Sequence, residues 1–134
     1  MKKYDYYLAA PFFNDIERTK VLAVANTLRE MGHTVYVPME HKIENAWGIS
    51  NQEWGRRVFE NDVKAINNSS KVIAIITTAS WIEDGGTAWE IGYAYGKHIP
   101  VIGIDMCDNN LSVASLMILN SLVNVTSFNH VRQK

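Results

Sequence analysis

The chain has 134 residues, enough for one domain with a substantial core, and no second domain is expected. Its 13 Lys and Arg nearly balance 14 Asp and Glu, and with no basic cluster, binding to nucleic acid or a membrane surface by bulk charge is excluded. Small, neutral molecules are the expected partners. Cys107 is the only cysteine, so there is no internal disulfide, and the start Met1-Lys2-Lys3-Tyr4-Asp5 lacks the apolar run of a signal peptide. A cytoplasmic location is expected, no apolar segment approaches membrane-spanning length, and no internal repeat is visible.

Tyr4 to Ala10 is rich in aromatic and apolar residues and stops at Pro11, as a first buried strand would. Asn14-Asp15-Ile16-Glu17 then starts a helix. Val21, Val24, Ala25, Leu28 and Met31 keep helical spacing, and Gly32 supplies the stop. Thr34 to Val37 reads as a second strand ended by Pro38. From Met39 to Asn51 no period is visible, and Trp47 within this loop marks it as a binding loop or lid. Ser50-x-x-Glu53 is a capping box opening a helix whose apolar side runs through Trp54, Val58, Val63 and Ile66 and which ends at Asn67 to Ser70. Val72 to Thr77 is a third strand. Ile99 to Ile104 is a fourth, Leu111 to Leu119 a fourth helix, and Val123 to Phe128 a fifth strand. Strands alternating with helices give an α/β fold: a doubly wound, flavodoxin-like three-layer sandwich around a five-stranded parallel sheet.

The stretch Glu83 to Gly96, between the third and fourth strands, places two carboxylates at a strand's carboxyl end. Asp84 sits in a loop before Gly85-Gly86, and Glu90 lies in the first turn of a helix beginning at Thr87, where free N–H groups and the macrodipole favour an ionised side chain. Such a Glu is a nucleophile or a metal ligand. Thr87-x-x-Glu90 also matches a capping box, which needs no function. Residues after the first, third and fourth strands, Tyr7 to Phe13, Trp81 to Glu90 and Asp105 to Asn110, converge on one edge. Asp62, near its helix end, either points to that edge or is a solvated surface residue. Phe12, Phe13, Trp47, Trp54, Trp81 and Trp89 are available to stack on a planar ring or to fill the core.

Three blocks together resemble the signatures of the nucleoside 2-deoxyribosyltransferase family: Tyr7-Leu8-Ala9-Ala10-Pro11-Phe12-Phe13, Trp54-Gly55-x-x-Val58-Phe59-Glu60-Asn61-Asp62-Val63, and Asp84-Gly85-Gly86-Thr87-Ala88-Trp89-Glu90-Ile91-Gly92-Tyr93-Ala94. The resemblance spans about residues 4 to 122. It implies a retaining transfer of 2-deoxyribose between nucleobases, with Glu90 as the nucleophile and Tyr7 as the hydroxyl that orients it. Asp62 and Asp84 then bind the base and protonate the leaving ring nitrogen. Ala9, Phe12, Phe13, Trp54 and Gly86 line the substrate site. Ser115 and Met117 reach the site of a neighbouring subunit, in a homo-oligomer that is a hexamer or a dimer.

The chemistry suits these residue types on its own terms. Cleavage of an N-glycosidic bond through an oxocarbenium-like state needs one carboxylate to trap the sugar and one protonated group for the base. Two aspartates crowded at an apolar pocket disfavour double ionisation and retain a proton. Ser115 stands where the family usually has Asn, and a related group of deoxynucleoside 5′-monophosphate N-hydrolases has Ser there on the phosphate. Against that hydrolase alternative, Ala10-Pro11-Phe12-Phe13 lacks a polar phosphate cradle. Lys42 stands near a family Gln that contacts the base, which leaves base preference open.

A non-catalytic nucleotide-sensing module is the alternative from another class; it needs the base pocket but not Glu90. His33, His41, His98 and His130 lack ligand spacing, so no metal is expected. No Rossmann or Walker glycine pattern is present, and no cofactor is expected.

Overall fold

The computed structural model describes residues 2–43, 46–77, 85–106 and 115–133. In chain order these form β1 (Tyr4–Ala9), α1 (Asp15–Glu30), β2 (Val35–Tyr36), short 3-10 turns at Pro38–Glu40 and Ala46–Gly48, α2 (Asn51–Asn67) and β3 (Ser69–Ile76). There follow α3 (Gly85–Gly96), β4 (Val101–Asp105), α4 (Leu116–Ser121), β5 (Asn124–Ser127) and α5 (Phe128–Arg132). The five strands make one sheet in the order β2-β1-β3-β4-β5, every pair parallel. This is the doubly wound, flavodoxin-like order expected from the alternating pattern.

The sheet is covered on both faces, which is why its central strands read as continuous apolar runs. Along β3, Val72, Ala74 and Ile76 point to one side with Tyr7, Tyr36, Ala65, Ile66, Ile91 and Ala94, beneath α2 and α3. Ile73 and Ile75 point to the other with Leu8, Val21, Val24, Ala25 and Leu28 of α1, where Phe128 and Val131 of α5 also pack.

Caps set the helix limits. Asn14 accepts from the Glu17 N–H at 2.8 Å, and Glu17 reaches back to accept from the Phe13 N–H at 2.8 Å, so the start of α1 fixes the end of the loop after β1. Its far end is a Schellman motif: Gly32 has φ +92°, its N–H donates to the Arg29 carbonyl, and the His33 N–H donates to that of Leu28. Ser50 caps α2 by accepting from the Glu53 N–H. Glu53 itself pairs with Arg56 and Arg57 rather than closing the box.

Several boundaries depart from expectation. Gly85 is already helical, so Thr87 lies inside α3 and cannot be its N-cap; the capping-box reading of Thr87 and Glu90 fails for that reason. The fourth helix runs over Leu116–Ser121, because Ser115 has an extended backbone and caps it by accepting from the Met117 N–H at 3.2 Å. Residues 111–114 of the expected helix lie outside the described residues. The expected strand to Phe128 stops at Ser127, whose hydroxyl accepts from the His130 N–H and starts α5. β2 keeps only Val35–Tyr36 of the expected Thr34 to Val37, since Pro38 at once opens a 3-10 turn.

Gly103, at the centre of β4, is where the chain after α4 approaches the sheet most closely. A Cβ there would meet Leu122 Cδ1 at 2.8 Å. Gly103→Val is therefore expected to overpack this junction and lower unfolding stability by about 1–3 kcal/mol, read from denaturant midpoints, with Gly103→Ala milder because Leu122 has some freedom to turn away.

Candidate active site

The strand order reverses between β1 and β3. The chain leaving β1 crosses to the α1 face and the chain leaving β3 to the α3 face, so a crevice opens at their carboxyl ends. A cavity of about 590 Å³ lies there. Ala10, Phe12 and Phe13 wall it from the end of β1, Trp54, Val58 and Asp62 from α2, and Gly86, Trp89 and Glu90 from α3. Among its described wall residues only Asp62 and Glu90 are charged, and none is Lys, Arg or His.

Glu90 is held across the sheet. The buried Tyr7 hydroxyl donates a short hydrogen bond to Glu90 Oε2. Burial drives the Tyr7 phenol far above its ordinary pKa, and the charges of Glu90 and Asp62 push the same way, so the proton stays on Tyr7. The phenol is a fixed donor aimed at a carboxylate. A donor there also orients the carboxylate's other oxygen.

Asp62 is the other ionisable wall. Its place follows from an i, i+4 row, Trp54, Val58, Asp62 and Ile66, in which the Asp interrupts an otherwise apolar stripe. That row was the signal available in the sequence for deciding between pocket and surface. Burial raises its carboxyl from 3.8 to about 6, so it is substantially protonated just below neutral pH. The site thus has one carboxylate provided with a hydrogen-bond donor and one carboxyl biased toward its acid form.

The remaining expected residues are distributed as follows. Phe12 and Phe13 lie nearly parallel, centroids 6.1 Å apart, on the β1 side of the cavity. Trp54 and Gly86 are wall residues. Ala9 has its side chain in the core, because the strand alternation turns it inward; Ala10 is the wall residue at that end of β1. Trp47 is 92% exposed and is not part of the wall. Ser115 and Met117 lie outside this chain's cavity, Met117 being 80% exposed. Asp84 and Trp81 fall outside the described residues.

Phe59 was not expected as a wall residue; it meets Trp89, one of the aromatics expected to be available for stacking, edge to face at 5.2 Å. Tyr36 was also missed. It is the register partner of Tyr7, and its phenol is raised to about 12, by burial first and then by the Asp62 charge.

The model of the family described as nucleoside 2-deoxyribosyltransferase matches residues 6–122. The chain belongs to that family. Both cavity carboxylates, Tyr7 and the caps that place them fall within the matched span of the nucleoside 2-deoxyribosyltransferase family. A solved structure of the 2-deoxyribosyltransferase from the psychrotolerant bacterium Bacillus psychrosaccharolyticus is 33% identical, with TM-score 0.83, covering 96% of this chain and 90% of that one. A conserved protein from Enterococcus faecalis V583 matches with TM-score 0.74 at 19% identity, covering 96% of each chain, a likeness of fold alone. No curated protein sequence matches significantly. Nucleoside 2-deoxyribosyltransferase membership implies a transferase acting on deoxynucleosides.

Asp62 links the site to stability. Well below pH 3.8 the carboxyl is protonated in folded and unfolded chains alike and contributes no pH dependence. As pH rises toward 6 the unfolded chain releases its proton while the folded chain keeps it, so stability falls; above 6 the penalty is constant. Asp62 is only partly buried, which leaves some of this cost screened by water. Asp62→Asn is therefore expected to melt above wild type at pH 7–8, with the difference closing toward pH 4 in a series of melting curves.

Proposed function

We propose that the chain is a nucleoside 2-deoxyribosyltransferase working by a covalent, retaining, ping-pong mechanism, with Glu90 as nucleophile and Asp62 as the acid and base. The observation that carries this reading is the pairing of a carboxylate bonded by Tyr7 with a second carboxyl raised to about 6, in one cavity with otherwise uncharged described walls.

In the first half-reaction an oxygen of Glu90 attacks the anomeric carbon. The bond from that carbon to the base nitrogen breaks, its electron pair leaves with the base, and the Asp62 carboxyl supplies the proton. The result is a deoxyribosyl ester of Glu90, an Asp62 carboxylate and a free base. A second base then gives its N–H proton to Asp62 as its nitrogen attacks the same carbon, and Glu90 leaves as a carboxylate. Two inversions give net retention. Tyr7 stabilises the anionic form of Glu90 before attack and after departure. Asp84, which the resemblance pairs with Asp62 at the base, belongs to this proposal on that ground alone.

Phe12, Phe13 and Trp54 offer faces and edges for a base ring. The absence of any cation among the described wall residues favours an uncharged nucleoside over a 5′-monophosphate. Ser115 and Met117 lie outside this chain's own cavity and Met117 is exposed, which supports a homo-oligomer in which they complete a neighbour's site. Among the described residues no helix is long and apolar enough to cross a membrane, and we place the enzyme in the cytoplasm, in the salvage of deoxynucleosides.

Deoxyinosine with free adenine or cytosine is expected to yield a new deoxynucleoside, and Glu90→Ala to lower this by at least about 10³-fold. Base release from deoxynucleoside monophosphates alone would instead identify an N-hydrolase; ligand binding without turnover in either set would identify a sensing module. Because the acid form of Asp62 is needed for cleavage, kcat/KM for the donor is expected to fall tenfold per unit above about pH 6. In Asp62→Asn that limb of the pH profile disappears and the rate falls by about 10²–10⁴-fold.

A further inference from the structure

Tyr7 delivers its hydroxyl to Glu90 from the strand next to the sheet edge, so something must keep its ring from turning. Its register partner across β2 is Tyr36, and parallel pairing puts both side chains on the same face of the sheet. The two rings lie 10° from parallel with centroids 5.6 Å apart. Tyr36 is itself packed on His41, 9° from parallel at 4.0 Å, and edge-on to Tyr4 at 5.2 Å. It is 5% exposed and is not a wall of the cavity that holds Asp62 and Glu90. A β2 of two residues has little else with which to brace β1 at this point.

We propose that Tyr36 is a positioning residue for the reaction: its ring, packed between β1 and the turn carrying His41, fixes the orientation in which Tyr7 donates to Glu90. The inference rests on the nucleophilic reading of Glu90. Tyr36 lies outside the cavity wall and acts through Tyr7, on which its ring is stacked. Loss of the ring frees Tyr7 to swing, and misplacement of a catalytic contact by a fraction of an ångström is sufficient to cost turnover while leaving the cavity walls for substrate in place.

The experiment is a double-mutant cycle between Tyr36→Leu and Tyr7→Phe, with kcat and KM for deoxyinosine and adenine measured on the full chain and folding checked by melting curves. Tyr36→Leu is expected to lower kcat roughly tenfold with KM nearly unchanged. In the Tyr7→Phe background the same change should cost less than about twofold, because the hydroxyl that Tyr36 positions is gone. Tyr36→Phe, which keeps the ring, should restore most of the kcat lost in Tyr36→Leu. Tyr36→Met serves for the same cycle where Leu at this core position fails to fold. Equal losses in the two backgrounds, an effect on KM alone, or no rescue by Phe would overturn the proposal. A failure of the nucleophile reading would show separately, as full activity in Glu90→Ala.

Discussion

The hydrogen bond from Tyr7 to Glu90 joins the two sides of the crevice, and the arrangement of the site depends on it. It connects the inner strand β1 with the first helical turns after β3, over a separation of 83 residues. For it to form, β1 must lie beside β3 in register, and α3 must be packed onto the sheet through Ile91 and Ala94. The topology supplies the crevice, and this bond decides which way the carboxylate within it points. Because the helix is already formed at Gly85, Glu90 lies beyond its first turn, not within it as the sequence suggests, and the Tyr7 hydroxyl is the donor that holds its carboxylate.

The cavity keeps two carboxyl groups chemically distinct by giving them different surroundings. Glu90 has a phenol whose proton is locked in place by burial. Asp62 sits on α2 among Trp54, Val58 and Phe59, with no cation in the described wall to hold it ionised. Desolvation wins there and raises the carboxyl to about 6, so the acid form persists to a higher pH than in an ordinary Asp. Both come from one composition of residues; burial and one hydrogen bond separate their roles.

The fold was largely legible because a parallel sheet buried on both faces leaves long apolar runs, and because Asn14, Gly32 and Ser50 are unambiguous helix limits. What was illegible was set by contacts between distant segments. Glu90 at the third position after Thr87 looks like half of a capping box; only the arrival of Tyr7 from β1 shows where its carboxylate is committed. Gly85 and Gly86 read as loop, since glycine is a poor helix former, yet both lie in the first turn of α3. The five residues of α5 are too few to carry a period, so Ser127 was the sole local sign of it. Tyr36 was invisible for the same reason as the Tyr7 bond: strand register is a property of pairing, and Val35–Tyr36 is too short to announce its partner.

Tyr7, Asp62 and Glu90 stand on three elements separated by most of the chain, and no two of them share a helix or a hairpin. Such long loops close late, after the entropy of the intervening chain has been lost. Assembly of the cavity during refolding therefore tracks completion of the central sheet rather than the growth of helix content, and the bond from Tyr7 to Glu90 reports on the native state as a whole.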